Sequence, residues 1–302
     1  MEFGLVVTPQ FGSRWDRVAA DAMAAEAAGL DSIWLADHLL TPTDPSRPAF
    51  EAWTALAAVA ATTRRVRLGH LVGCVSFRNV GLLAKMAVTV DHISGGRLEL
   101  GLGAGWFEEE YRAFGYDFPS PAARRGAFEE TIDALDLLFT GETVHYDGDY
   151  VHLDGALCSP RPVQQPRPPL TIGSGGLLMR RLAGARADAW NCPAGLLPGV
   201  ANARRPVESA AAGRSVRTTV QIPVAVGRDD AEARAALDAG RTHLAWLGDV
   251  AAVGLAGTVD QAAERVGEYR DQGVDGFLCV VPGSRLRPDF VAALGDLAAV
   301  CS

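Results

Sequence analysis

The chain has 302 residues, 48% of them hydrophobic and 21% charged, which supplies one large core over 1–302 and argues against disorder or a fibrous repeat. A formal charge of −8 without a basic run gives no support to nucleic-acid binding, and no stretch reaches about 18 uninterrupted apolar residues, so no membrane partner is expected. The five cysteines form no C-x-x-C pair or His/Cys ligand cluster, and Lys85 is the sole lysine, which removes structural zinc, a disulfide framework and a Walker lysine from consideration.

The segment Glu2–Thr8 begins without the basic lead and cleavage site of a signal peptide, so a cytoplasmic protein is expected. Gly4–Thr8 has the β-branched character of a strand, and Asp16–Ala28 has apolar positions at helical spacing with Gly29 as a stop. Ser32–Leu35 repeats the strand and, after a Pro-rich loop, Ala52–Thr62 repeats the helix. Arg67–Val72 with Val80–Ile93 gives a third unit, and Arg97–Gly103 a fourth strand. Beyond the helix Arg125–Phe139, the stretch Glu142–Leu153 centres on Tyr-Asp-Gly-Asp-Tyr and predicts an inserted hairpin, followed by a Pro-rich connector.

The alternation resumes with Leu170–Ile172, helix Leu177–Ala187, strand Ala189–Asn191 and helix Gly199–Ala212. Arg217–Val226 with helix Asp230–Leu247 follows, then helix Val259–Gln272, strand Gly276–Val281 and helix Pro288–Val300. Eight strands alternating with helices predict an α/β fold, a (β/α)8 TIM barrel, in preference to a doubly wound sheet, which would carry an early G-x-G-x-x-G. Such barrels hold their chemistry at the C-terminal strand ends.

Three groups fall there. Asp37-His38 ends the second strand, and an imidazole changes charge near neutral pH, although a lone histidine at a strand end is as readily a satisfied loop residue. Gly101 to Trp106 ends the fourth; Gly103, Ala104 and Gly105 would let a flat ring approach the backbone, or simply turn a barrel corner. Gly173, Ser174, Gly175 and Gly176 join a strand to a helix, where N–H groups converge on a phosphate or merely make a tight turn. Asp91-His92 ends a helix at the opposite rim and reads as structural. Glu108, Glu109 and Glu110 read as a solvated helix start, with room for only one of them to face the mouth.

The segments Trp34 to His38, Leu83 to Met86, Asp91 to Arg97, Gly101 to Tyr111, Ile172 to Gly176, Ala187 to Asn191 and Gly257 to Asp260 resemble the luciferase-like monooxygenase family over nearly the whole chain, and within it the deazaflavin (coenzyme F420) oxidoreductases. The resemblance implies His38 beside the deazaflavin ring as the proton-handling catalytic residue. It implies that Asp37 contacts the cofactor or positions the loop, and that the amides of Gly173 to Gly176 hold its phosphate. It also implies a bulge with a non-prolyl cis bond at Leu71-Val72, beside Gly73, supporting one face of the ring, and a homodimer. Trp106 stands where the sugar-phosphate branch carries a carboxylate, which makes glucose 6-phosphate a poor substrate guess. Phe11, His70, Trp106, Trp190 and Trp246 suggest an apolar, aromatic pocket for a small-molecule substrate, with some of them as core. The implied activity is hydride transfer between the deazaflavin C5 and a small organic molecule; the alternatives are an FMN-dependent monooxygenase and a silent flavin-binding protein. No metal site is expected.

Overall fold

The β-branched runs pair in parallel and close on themselves in the computed structural model, which describes residues 1–7, 14–42, 44–282 and 288–301. Phe11 lies outside the described residues. The first half contains strands β1 (Glu2–Val7), β2 (Ser32–Leu35), β3 (Arg67–His70), β4 (Gly73–Cys74) and β5 (Leu98–Gly103). Helices α1 (Trp15–Ala27), α2 (Ala52–Thr62), α3 (Val80–Ser94), α4 (Glu108–Ala113) and α5 (Pro121–Leu138) alternate with or follow them. A hairpin, β6 (Thr143–Asp147) with β7 (His152–Leu157), interrupts the alternation, reaching four residues past the expected end at Leu153. The second half contains β8 (Leu170–Gly173), β9 (Ala189–Cys192), β10 (Arg217–Gly227), β11 (Leu255–Thr258) and β12 (Gly276–Val280). Its helices are α6 (Leu177–Arg186), α7 (Val200–Ala211), α8 (Asp230–His243), α9 (Val250–Val253), α10 (Val259–Asp271) and α11 (Pro288–Cys301).

The ring runs β1, β2, β3, β5, β8, β9, β10, β12 and back to β1, all in parallel. β11 stands outside it, paired with the far end of β10 from Val224 to Gly227. Strand signal is weak there, because Thr258 is the one β-branched residue in Leu-Ala-Gly-Thr and the segment pairs with the end of a long neighbour. Helix α5 begins four residues before the expected Arg125, since Ser120 accepts the Ala123 N–H and Pro121 occupies the first turn. No described helix is long and apolar enough to cross a membrane.

Strand alternation stacks the barrel interior in layers. At the N-terminal end, Arg217 reaches Glu2 at 2.6 Å and Glu99 at 3.5 Å, while Arg67 reaches Glu99 at 2.5 Å. Above this charged layer lies Trp34, 2% exposed, with its Nε1–H donated to Ser32 Oγ at 2.9 Å. Three glycines make room for that indole: a Cβ on Gly4, Gly69 or Gly101 would lie 2.9, 2.6 or 3.1 Å from its atoms. The uppermost inward positions, among them Val6, Ala36, Gly103, Gly173 and Gln221, form the floor of a cavity.

The expected continuous strand Arg67–Val72 breaks after His70. Leu71-Val72 is cis, and the chain re-enters the sheet at Gly73–Cys74. From Gly69 to Gly73 it advances four residues while β5 advances three, from Glu99 to Leu102, so the irregularity is a one-residue bulge. The same place is closed to any side chain on β5, because a Cβ on Gly101 would sit 1.9 Å from the His70 carbonyl oxygen. Gly101→Ala should therefore cost about 1–3 kcal/mol through forced backbone movement. Gly267→Ala, in α10 with nothing within 4 Å of the added Cβ, should instead stabilise by about 0.5–1 kcal/mol. Thermal unfolding of both variants checks the contrast, and equal midpoints would contradict it.

Candidate active site

Asp37 leaves β2 with its carboxylate buried, and every partner it has holds the surrounding backbone. It accepts the Cys74 N–H at 2.9 Å and both Arg78 terminal nitrogens, at 2.6 and 2.9 Å. Arg78, 7% exposed, also reaches Glu51 at 2.5 Å. Glu51 in turn accepts the Trp53 and Thr54 N–H groups at the start of α2. Burial would raise the Glu51 carboxyl, but the hydrogen bonds from Thr54, Arg78 and Trp53 outweigh it and hold the group at about 2. On Arg78, burial disfavours the charge and the two carboxylates more than restore it, raising its pKa.

The next residue, His38, points a different way. Its Nδ1 lies 3.0 Å from Glu110 Oε2, and the other Glu110 oxygen accepts the N–H groups of Leu39 and, at 2.8 Å, Leu40. An ionised Glu110 requires Nδ1 to carry the proton, so a neutral His38 presents Nε2 as an acceptor. No described residue bonds Nε2, and the ring is flanked edge-on by Trp106 at 5.7 Å and Phe107 at 6.3 Å. Glu110 and Tyr111 are the buried pair at the start of α4, whereas Glu108 and Glu109 face outward. Sequence reasoning read the three glutamates as a solvated helix start with room for only one to face the mouth, and Glu110 is the one that lines the cavity.

These residues open on a cavity of about 710 Å³, a size typical of small-molecule and cofactor sites. Asp37, His38, Leu71 and Val72 line one side, and Gly103, Ala104, Gly105 and Trp106 another. The loop from Gly173 to Gly176 and the exposed Trp246 also line it, as do Cys74, Tyr111, Asn191 and Gln221, which sequence reading did not select. Cys74 Sγ lies 3.1 Å from the Tyr111 hydroxyl; burial pushes the thiol up to about 11 against that hydrogen bond. The cysteine is therefore held as a neutral thiol.

Three expected lining residues are absent from the walls. His70, 1% exposed, faces outward from β3 and packs on Trp53 at 4.4 Å, where burial lowers its pKa. Trp190 is fully buried on the outer face of β9 and donates Nε1–H to the Ser174 carbonyl at 3.0 Å, so it braces the glycine loop from behind. Gly73 is buried in the strand pair with Leu102. Parity explains His70 and Trp190: along β3 and β9 the inward residues are Gly69 and Asn191, their immediate neighbours.

The glycines act through Val72. Its two methyl groups occupy the places where a Cβ on Gly103 or Gly173 would fall, 2.5 and 2.7 Å away, so the bulge side chain lies across β5 and β8 as a small apolar platform. Beyond it, helix α6 starts at Leu177 with no side-chain cap, leaving first-turn N–H groups for a ligand. Gly176 has nothing within 4 Å of an added Cβ, and the buried Ser174 hydroxyl has no hydrogen-bond partner among the described residues. The Ser174 N–H itself bonds the Asn191 carbonyl at 3.3 Å. An apolar ledge, an orphaned hydroxyl and an uncapped helix start fit a flat ring carrying a phosphorylated tail.

A model of the luciferase-like monooxygenase family matches residues 1–276. The F420-dependent glucose-6-phosphate dehydrogenase of Amycolatopsis mediterranei is 32% identical over 234 residues, spanning 74% of this chain and 68% of that protein. An F420-dependent secondary alcohol dehydrogenase, solved in complex with an F420-acetone adduct, superposes with a TM-score of 0.84 at 18% identity, covering 100% of this chain and 99% of that one. The coenzyme F420-dependent tetrahydromethanopterin reductase of Methanopyrus kandleri gives 0.75 at 19% identity over 97% of each chain. At those identities the two solved structures establish likeness of fold.

Removing Asp37 leaves the Arg78 guanidinium buried with half its partners, so Asp37→Ala should destabilise by about 3–5 kcal/mol in urea unfolding, and a loss below about 1 kcal/mol would contradict the clamp. For Glu51 the folded pKa of about 2 lies below its ordinary 4.5. Its contribution to stability is therefore complete above pH 4.5 and fades as pH falls toward 2. Glu51→Gln should flatten the stability profile across that window, whereas a profile parallel to wild type would show that another group governs it.

Proposed function

The chain belongs to the luciferase-like monooxygenase family, and on that premise we propose that it is a coenzyme F420-dependent oxidoreductase that moves a hydride between the deazaflavin and a small organic substrate. One observation carries the proposal: within a single cavity, His38 offers an Nε2 that no described residue bonds, while its Nδ1 is fixed by the buried Glu110. The curated relative named above, an F420-dependent dehydrogenase, supports the choice of cofactor. Bound F420 would supply a ring carbon, C5, able to accept or return a hydride and poorly reactive with dioxygen.

The protein's own contribution is position and proton handling. Val72 and Leu71 would support the apolar face of the ring. The first-turn N–H groups of α6 and the Ser174 hydroxyl would hold the phosphate, their orphaned donors matching an anion. His38 Nε2 would take the proton from a substrate hydroxyl, or return it to a carbonyl oxygen. Glu110 keeps the required tautomer and favours the imidazolium that forms. Trp106 and Phe107 would keep bulk water from that proton. A homodimer is part of the same proposal.

His38→Ala should lower turnover by about 10²–10⁴ while leaving F420 affinity, read by quenching of its fluorescence, close to wild type. Turnover equal to wild type would remove His38 from the chemistry. FMN titrated in parallel discriminates the monooxygenase reading, which requires FMN to bind as tightly as F420.

A further inference from the structure

We infer that the substrate of this site is an uncharged alcohol or carbonyl compound with an apolar, aromatic substituent, and that Trp106 determines this specificity. The inference rests on the oxidoreductase reading and concerns what that site admits. Among the described lining residues there is no lysine or arginine. The sole lysine, Lys85, donates to the Ser159 carbonyl at 2.5 Å on α3, away from these walls. Of the acidic side chains, Asp37 is matched by Arg78, and Glu110 stands directly behind His38. An anionic substrate brought to His38 would meet a buried carboxylate 3.0 Å behind the imidazole and no cation on the described walls to offset it.

The apolar side of the argument is geometric. Trp106 and Phe107 lie 5.3 Å apart with their planes 32° from parallel, and both meet the His38 ring edge-on. Trp246, Pro42 and Met179 add further apolar surface to the same cavity. Trp106 is 66% exposed, an unusual cost for the largest apolar side chain unless a ligand covers it. In the oxidative direction the carbinol C–H bond breaks with its electron pair passing to the oxidised deazaflavin. The O–H proton passes to His38 Nε2 and the C=O bond forms; the reverse direction returns the same hydride and proton. Neither carbon nor oxygen carries net charge in substrate or product.

The test uses the full chain loaded with F420, 1-phenylethanol and acetophenone as neutral probes, and glucose 6-phosphate as the anionic contrast. The wild type should show a kcat/KM for 1-phenylethanol at least about 100-fold above that for glucose 6-phosphate. Acetophenone should quench tryptophan fluorescence saturably. Trp106→Ala should raise both the KM and the acetophenone Kd by about 10-fold without altering the F420 Kd. Glucose 6-phosphate turned over as well as the neutral alcohol, neutral probes that neither bind nor react while F420 binds, or an unchanged acetophenone Kd in Trp106→Ala each overturns the inference. Failure of wild type to bind F420 overturns the underlying reading instead, and this inference with it.

Discussion

The buried carboxylate of Asp37 is the constraint on which the site depends. It joins the end of β2 to a stretch about forty residues on, at the re-entry of the broken strand at Cys74 and at Arg78 just before α3. Through Arg78 it also reaches Glu51 and so the start of α2. A charge so far from water is tolerated because three donors, two of them on a guanidinium, meet its two oxygens, which fixes the donors as firmly as the acceptor. The consequence falls on the neighbours: His38 is turned toward Glu110, and the bulge containing Val72 is held over the barrel mouth.

Packing below that clamp serves the same end. An ion-paired layer of Glu2, Arg67, Glu99 and Arg217 closes the N-terminal end of the barrel, and Trp34 fills the layer above it. The glycines around Trp34 and Val72 are absences of bulk, each answered by a large neighbour. The cavity lies above this packed interior, with Val72 in its lining, where the strands end.

Much of this was legible in the chain. Strand and helix periodicity gave the eight units, and Asp37-His38 and the glycine loop fell at strand ends, where a barrel keeps its chemistry, while the Leu71-Val72 bulge came from the family resemblance alone. What escaped was parity and burial. His70 and Trp190 carry the right chemistry one residue out of phase, and a slip of one turns a side chain from the cavity to the helices. Glu110 was hidden among like residues, because composition cannot tell which of three adjacent carboxylates a short helix turns inward. The interior ion layer was equally invisible, since its members are neighbours only once the barrel closes.

The most direct test of the account is a crystal structure of the protein with F420 bound. The account predicts the deazaflavin ring resting on Val72, His38 Nε2 facing the space beside its reactive carbon, and the phosphate on the N–H groups that follow Ser174. A ring bound elsewhere, or one whose reactive edge faces away from His38, would contradict it.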